Sequence, residues 1–179
     1  MNTIEHIKNW LYNNSLKKLA ISKRTASNMN LIRAKRIGIL FDATDIDKRK
    51  AVIRYAENLR KKGKKISLLG FLPIADESAV FDFNFYTSKD IDWAQRVKAN
   101  KIKIFLQHSY DLFICMPSKN SKSSEYISLQ TRASMRIGPV AKHSSCYDLM
   151  IDCPVGTTPL QFIKQYESIL ELTMVQEKV

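Results

Sequence analysis

The feature that most constrains this chain is a recurring alternation of short apolar runs, rich in β-branched residues, with longer amphipathic segments. RIGILF begins at Arg36, KISLLGFL covers 65–72, YDLFICM covers 110–116, MRIGPV covers 135–140 and LMIDC covers 149–153. Runs of this length, bounded by turn residues, suit strands covered on both faces, as in parallel sheets flanked by helices. Between the first two runs, Asp45 to Lys62 places Val52, Tyr55, Ala56 and Leu59 on one helical stripe, and Gly63 stands where a helix commonly stops. Strand, helix and strand in this order make a βαβ unit, which crosses over right-handed in nearly all known cases.

Downstream, FDFNFY alternates Phe81, Phe83 and Phe85 with polar partners and predicts an edge strand. A helix is expected from Trp93 to about His108, with Val97, Ile102, Ile104 and Phe105 toward the core, and another from about Ser123 to Ser134. The last helix starts after Thr157 or Thr158 with Pro159 in its first turn, and carries Leu160, Phe162, Ile163, Tyr166, Ile169, Leu170 and Leu172. The expected architecture is a three-layer α/β fold with a mainly parallel, doubly wound sheet.

At 179 residues, the chain suits one domain with an appended segment. The division falls near residue 36, giving a basic helical extension over 1–35 and a Rossmann-like domain over 36–179. In the extension Ile4, Ile7, Trp10, Leu11, Leu16 and Leu19 recur at helical spacing, which predicts an amphipathic helix from Thr3 to about Ser22. Residues 25–34, TASNMNLIRA, read as a connector. No apolar run reaches the length of a membrane-spanning helix, and MNTIEHIKNWLYNN lacks the apolar core of a secretory signal, so a cytoplasmic location is expected. Cys115, Cys146 and Cys153 form an odd set without CxxC spacing, which predicts free thiols.

The unusual property is charge: Lys plus Arg number 29 against 17 Asp plus Glu, a net +12. Over residues 1–36, Lys8, Lys17, Lys18, Lys23, Arg24, Arg33, Lys35 and Arg36 face only Glu5, so more than half of the surplus of +12 sits in the first fifth of the chain. A second concentration runs from Lys48 to Lys65, where Lys48, Arg49, Lys50, Arg54, Arg60, Lys61, Lys62, Lys64 and Lys65 face Glu57 alone. Any one such cation is ordinarily part of a solvated face. Together they suit contact with consecutive phosphates. The candidate nucleic-acid-binding residues are therefore Lys8, Lys17, Lys18, Lys23, Arg24, Arg33, Lys35, Lys48, Arg49, Lys50, Arg54, Lys61 and Lys62. Trp10, Tyr12 and Tyr55 are candidates either for stacking on bases or for packing. The aromatic strand motif of an RRM and the GXXG loop of a KH domain do not occur, so contact with the nucleic-acid backbone is expected rather than base reading.

In an open parallel sheet, ligands bind beyond the carboxyl ends of the strands. The loops nominated are Asp42–Asp45, Leu72–Ile74, Pro117–Lys122 and Val140–Ser145. After the first strand stands FDATDID, without the glycines of GxGxxG or GxxxxGK that let backbone approach phosphate, so no cofactor is expected. Asp42, Thr44 and Asp45 suit the capping of a helix start, or a ligand loop completed by Ser118 and Lys119 in which Asp42 would act as base, nucleophile or magnesium ligand. His143, Cys146 and Cys153 lack the paired spacing of a zinc site, and no metal site is expected. Cys115 within LFICM reads as a core residue. Cys146, near Lys142, His143 and Ser144, is the better thiol candidate, although no catalytic role is expected.

SEYISLQTRASMRIGPV, with Arg136, Ile137 and Gly138, resembles the helix and R-I-G strand in the N-terminal lobe of lipopolysaccharide heptosyltransferase-type glycosyltransferases. The resemblance implies a Rossmann-like lobe in which Asp42 loosely stands for a loop aspartate. The family's Gly-Asp loop is replaced by DATD, and the chain has no room for a second lobe to hold the sugar nucleotide. The whole chain also resembles a short, uncharacterised bacterial α/β family, which implies a fold without an activity. The expectation is a non-enzymatic protein that docks through basic surfaces on RNA or a ribonucleoprotein such as the ribosome. One alternative is a small-ligand binder or enzyme using Asp42 and Asp45. The other is a module for an anionic membrane surface or a protein partner, using Ile4, Ile7, Trp10 and Leu11 beside Lys8, Lys17 and Lys18.

Overall fold

A computed structural model describes residues 3–20, 27, 29–74, 80–118 and 121–176. The elements in chain order are α1 (Thr3–Ala20), β1 (Arg36–Asp42), α2 (Ile46–Lys61), β2 (Lys65–Phe71), β3 (Asn84–Tyr86), α3 (Ala99–Gln107), β4 (Ser109–Cys115), α4 (Ser121–Gln130), β5 (Arg132–Pro139), β6 (Leu149–Ile151) and α5 (Pro159–Gln176). The strands form one six-stranded sheet in the order β3-β2-β1-β4-β5-β6. Every adjacent pair is parallel.

Alternation along the strands feeds two cores. Ile37, Ile39 and Phe41 of β1, with Leu112 and Ile114 of β4, meet Val52 and Ala56 of α2 and Phe162 and Tyr166 of α5. On the other face Leu40, Phe113 and Cys115 meet Tyr12 and Leu16 of α1, Ile102 and Phe105 of α3, and Ile127 of α4. Hence α2 and α5 cover one face, and α1, α3 and α4 the other. Gly138 is required by close approach: a Cβ there would lie 2.4 Å from the ring of Tyr147.

Besides the helix expected to reach Ser134, which ends at Gln130 where β5 takes over from Arg132, three elements depart from the sequence reading. The aromatic strand is limited to Asn84–Tyr86, whose partners are Leu69–Phe71. Phe81 and Phe83 precede it, with their rings stacked at 5.1 Å. The helix expected from Trp93 starts only at Ala99, because Asp92 captures the backbone first. Its carboxylate accepts from the Ala94 and Arg96 amides, both at 2.9 Å, and from Arg96 Nε at 2.7 Å, a local bonding pattern that competes with helix. Trp93 and Ile104 are exposed, as are Leu160 and Leu172 of α5.

The third departure is in α1, where Ile4, Ile7 and Trp10 face outward. The packed side instead presents Tyr12 and Leu16, 4% and 1% exposed. The Tyr12 hydroxyl donates to the Lys122 carbonyl at 2.8 Å and lies 3.1 Å from Glu125 Oε2. Lys122 Nζ donates to Asn9 at 3.0 Å, and His143 Nε2 lies 3.1 Å from Asn13 Oδ1. Because residue 9 meets 122 and residue 12 meets 125, α1 and α4 run in the same direction. Leu16→Ala is expected to lower the stability of the α/β domain by about 2–5 kcal/mol in urea unfolding. Trp10→Ala should change it by no more than about 0.5 kcal/mol.

Candidate nucleic-acid interface and ligand cleft

In a sheet of parallel strands, all the strand amino ends share one edge, and helices returning from strand to strand end there too. Arg36 and Lys65 are register partners at the starts of β1 and β2, and Arg132 is paired with Ser109 at the starts of β5 and β4. Three strand spacings separate Lys65 from Arg132, about 15 Å. The connector adds exposed Arg33 and Lys35, and Lys64 Nζ ties it down by donating to the Ile32 carbonyl at 2.8 Å. The last turn of α2 brings Arg60 and Lys61, followed by Lys62, and the last turn of α1 brings Lys17 and Lys18 toward the same edge. Asp111 is the one acid in segments 29–36, 58–65, 107–111 and 130–134. Its Oδ2 accepts from the Lys35 and Arg36 amides at 2.7 and 2.8 Å. Each helix carboxyl end contributes roughly half a negative charge, so the cations at this edge exceed what the helix dipoles offset.

The structure divides the candidate cations. Arg33, Lys35, Lys61, Lys62, Lys17 and Lys18 belong to the amino edge, whereas Lys48, Arg49 and Lys50 lie at the opposite end of α2, with Arg54 between. Lys8 lies in the first half of α1. Lys23, Arg24 and Lys119 fall outside the described residues. Arg49 is engaged internally: it donates to the Ala43 carbonyl at 3.1 Å and its guanidinium lies 5.3 Å from the centroid of Phe81. Tyr12 is buried in the α1–α4 contact, and Tyr55 donates to Glu167 at 2.9 Å while accepting from Tyr166 at 2.6 Å. Neither is presented for stacking. Sequence reasoning did not single out Arg132, which only the β4–β5 register brings to this edge.

The carboxyl edge carries a cleft of about 960 Å³. It opens where strand order reverses about β1, the usual ligand position in such sheets. Phe41, Phe71 and Met116 are buried beneath it. Asp42, Thr44, Asp45, Lys48, Ser118 and Thr157 supply its polar lining, and the loop Cys153–Gly156 forms a wall. Asp42 Oδ1 accepts from the Thr44 amide at 3.0 Å, and Ser118 donates to Asp42 Oδ2 at 3.4 Å. Asp45 caps α2, its Oδ1 accepting from the Asp47 and Lys48 amides at 2.9 and 3.0 Å. The Lys48 amide is the main cause holding the Asp45 carboxyl below its ordinary pKa. The loop after β6 was not among those nominated from sequence, although its Pro154 and Gly156 are turn signals. The nominated loop at 140–145 packs elsewhere, with His143 against α1.

Other candidates have structural roles. The Arg136 guanidinium donates to the Leu129 and Thr131 carbonyls at 3.2 and 2.7 Å, bonding the end of α4 as cations at helix ends do. Among the described residues, no group of three or more His, Cys, Asp or Glu could hold a metal ion, and no helix is long and apolar enough to cross a membrane. All three cysteines are free thiols. Burial pushes Cys115 up to about 11 and Cys146 up to about 12, so neither is a thiolate at neutral pH. Burial also raises Cys153, with the Asp152 charge adding to it, but that side chain is half-buried and lines the cleft.

These features define an open, all-parallel α/β protein whose candidate sites lie at opposite edges of one sheet. The chain belongs to a family of unknown function (DUF6913), whose model matches residues 8–172. The match takes in most of α1 together with the sheet. No curated protein and no solved structure matches the chain.

Iodoacetamide applied to the native protein is expected to label Cys153 first, with Cys115 and Cys146 labelled only as the fold opens. Peptide mapping over time checks this order, and early labelling of Cys146 would contradict its burial.

Proposed function

We propose that this protein is a non-enzymatic docking module that binds RNA, in isolation or within a ribonucleoprotein such as the ribosome, through the amino edge of its sheet. The observation that carries this reading is the convergence of Arg36, Lys65 and Arg132 with the basic ends of α1 and α2 on one edge. Such an edge suits a run of phosphates. Among the described Trp, Tyr and Phe residues, Trp10 and Trp93 are the exposed ones, and neither belongs to this edge. Contact is therefore with the sugar-phosphate backbone of folded RNA, without reading of bases. A cytoplasmic location accompanies this function.

The likeness to a heptosyltransferase N-terminal lobe supports a shared type of fold without transferase chemistry. Its motif residues are accounted for by packing: Arg136 bonds the end of α4, and Gly138 makes room for Tyr147. A repurposed, inactive lobe is consistent with that use.

Fluorescence anisotropy with a folded RNA, across a salt series, tests the proposal. Lys62→Glu combined with Lys65→Glu is expected to weaken binding and flatten the slope of log K against log salt by about 0.7–0.9 for each phosphate that the protein no longer neutralises. Lys48→Glu with Lys50→Glu makes the same change in net charge at the other end of α2, and should weaken binding much less. Equal weakening by the two pairs would mean that net charge alone governs binding and would remove the amino edge from the mechanism. In native lysate, nuclease treatment should release the protein from its particle, and retention after digestion would oppose an RNA partner.

A further inference from the structure

The strand order of this sheet ordinarily accompanies nucleotide binding, with phosphate at the first strand-to-helix turn and the free amides of a helix start holding it. Here that chemistry is closed off. The Asp47 and Lys48 amides at the start of α2 already donate to Asp45. At the start of α5, Gln161 Oε1 accepts from the Thr158 amide at 2.8 Å and from its hydroxyl at 3.0 Å, while the Gln161 amide donates to Thr158 Oγ1 at 3.3 Å. Both helix starts bordering the cleft are thus served by their own side chains. An arriving phosphate would also meet two carboxylates, Asp42 and Asp45, with Lys48 as the one cation in the described lining.

The cavity itself remains. Its volume of about 960 Å³ lies at the upper end of the roughly 300–1,000 Å³ usual for small-molecule sites. Phe41, Phe71 and Met116 give it an apolar floor, with Pro73, Pro117 and Pro154 around them. Asp42 is half-buried at the rim, and Ser118 donates to its Oδ2 over a long 3.4 Å. An apolar floor below a carboxylate rim complements an apolar body carrying a positively charged nitrogen.

We propose that the cleft at the carboxyl edge binds a small organic amine, with its apolar body over Phe41, Phe71 and Met116 and its ammonium group at Asp42. This site stands apart from the RNA-docking edge and does not depend on it. The protein's overall charge of +12 repels cations at long range, so any preference for an amine must come from the cleft.

Three probes of similar shape separate the contributions: phenethylamine, the neutral phenethyl alcohol and the anionic 3-phenylpropionate, titrated into the full-length protein and followed by amide NMR shifts. Phenethylamine is expected to bind about tenfold more tightly than the alcohol, the effect of one charge-assisted hydrogen bond. The shifts should centre on residues 41–45, 116–118 and 153–157. Asp42→Asn should reduce amine affinity to about that of the alcohol, and an amide spectrum unchanged outside the cleft shows that the variant is folded. Cys153→Trp, which fills the cleft, should abolish binding of both. Equal or tighter binding of 3-phenylpropionate would overturn the proposal. So would shifts centred outside the cleft, or no shifts with about 10 mM amine, a concentration of the order needed to populate a millimolar site.

Discussion

The structure depends on one constraint: all six strands of the sheet run in the same direction. A parallel sheet cannot be closed by tight hairpins. Its connections must cross a face, and each crossover helix returns the chain to the same starting edge. Strand starts and helix ends therefore gather at one edge, and strand ends and helix starts at the other. Residues distant in sequence acquire shared surroundings because they occupy equivalent places in successive units. Lys65 and Arg132 illustrate this, separated by two further strands but aligned by a continuous register.

Although α1 precedes the first strand, packing makes it part of the fold. The face bearing Leu40, Phe113 and Cys115 is covered by α3 and α4, and α1 adds Tyr12 and Leu16 to that layer. Its neighbour α4 is unusually polar for a buried helix: Ser123, Ser124, Glu125 and Ser128 are all less than a tenth exposed. Buried polar groups need partners, and the contacts supply them. Ser128 donates to the Ser124 carbonyl at 2.6 Å, Tyr86 and Ser123 are 3.0 Å apart, and the Tyr12 hydroxyl reaches Glu125. Burial raises the Glu125 pKa, against the opposing effect of the Tyr12 hydrogen bond. Tyr12 thus joins α1 to the domain by packing and by polar satisfaction together, which favours one seating of α1 over alternatives that would leave Glu125 desolvated without it.

Much of the sheet was legible in the sequence because strands covered on both faces must be continuously apolar. RIGILF and YDLFICM have few other places to go. The cap at Asp45 was legible for a similarly local reason. What could not be read was whatever depended on competition between neighbours. Asp92 looks like an ordinary polar residue until three donors converge on its carboxylate and delay α3 to Ala99. In α1, helical spacing showed that Ile4, Ile7 and Trp10 share a side, but the packed side was decided by partners that lie more than 100 residues away, at Lys122 and Glu125. The cleft was half legible: strand-end logic found Asp42, Thr44, Asp45 and Ser118, while its other wall comes from a loop that only the sheet order brings across to β1.

Cationic composition is therefore an incomplete guide to a cationic surface. The run from Lys48 to Lys65 looks uniform in sequence, but α2 is 16 residues long, about 24 Å at helical rise, so its two ends face different edges. At the start, Arg49 is committed to Ala43 and Phe81, and Asp42 and Asp45 offset Lys48. At the end, Lys61 and Lys62 lie beside Lys65, Arg36 and the connector, with Glu57 one helical turn before Lys61. The parallel sheet thereby keeps a cationic edge and a cleft rimmed by carboxylates apart within one small fold.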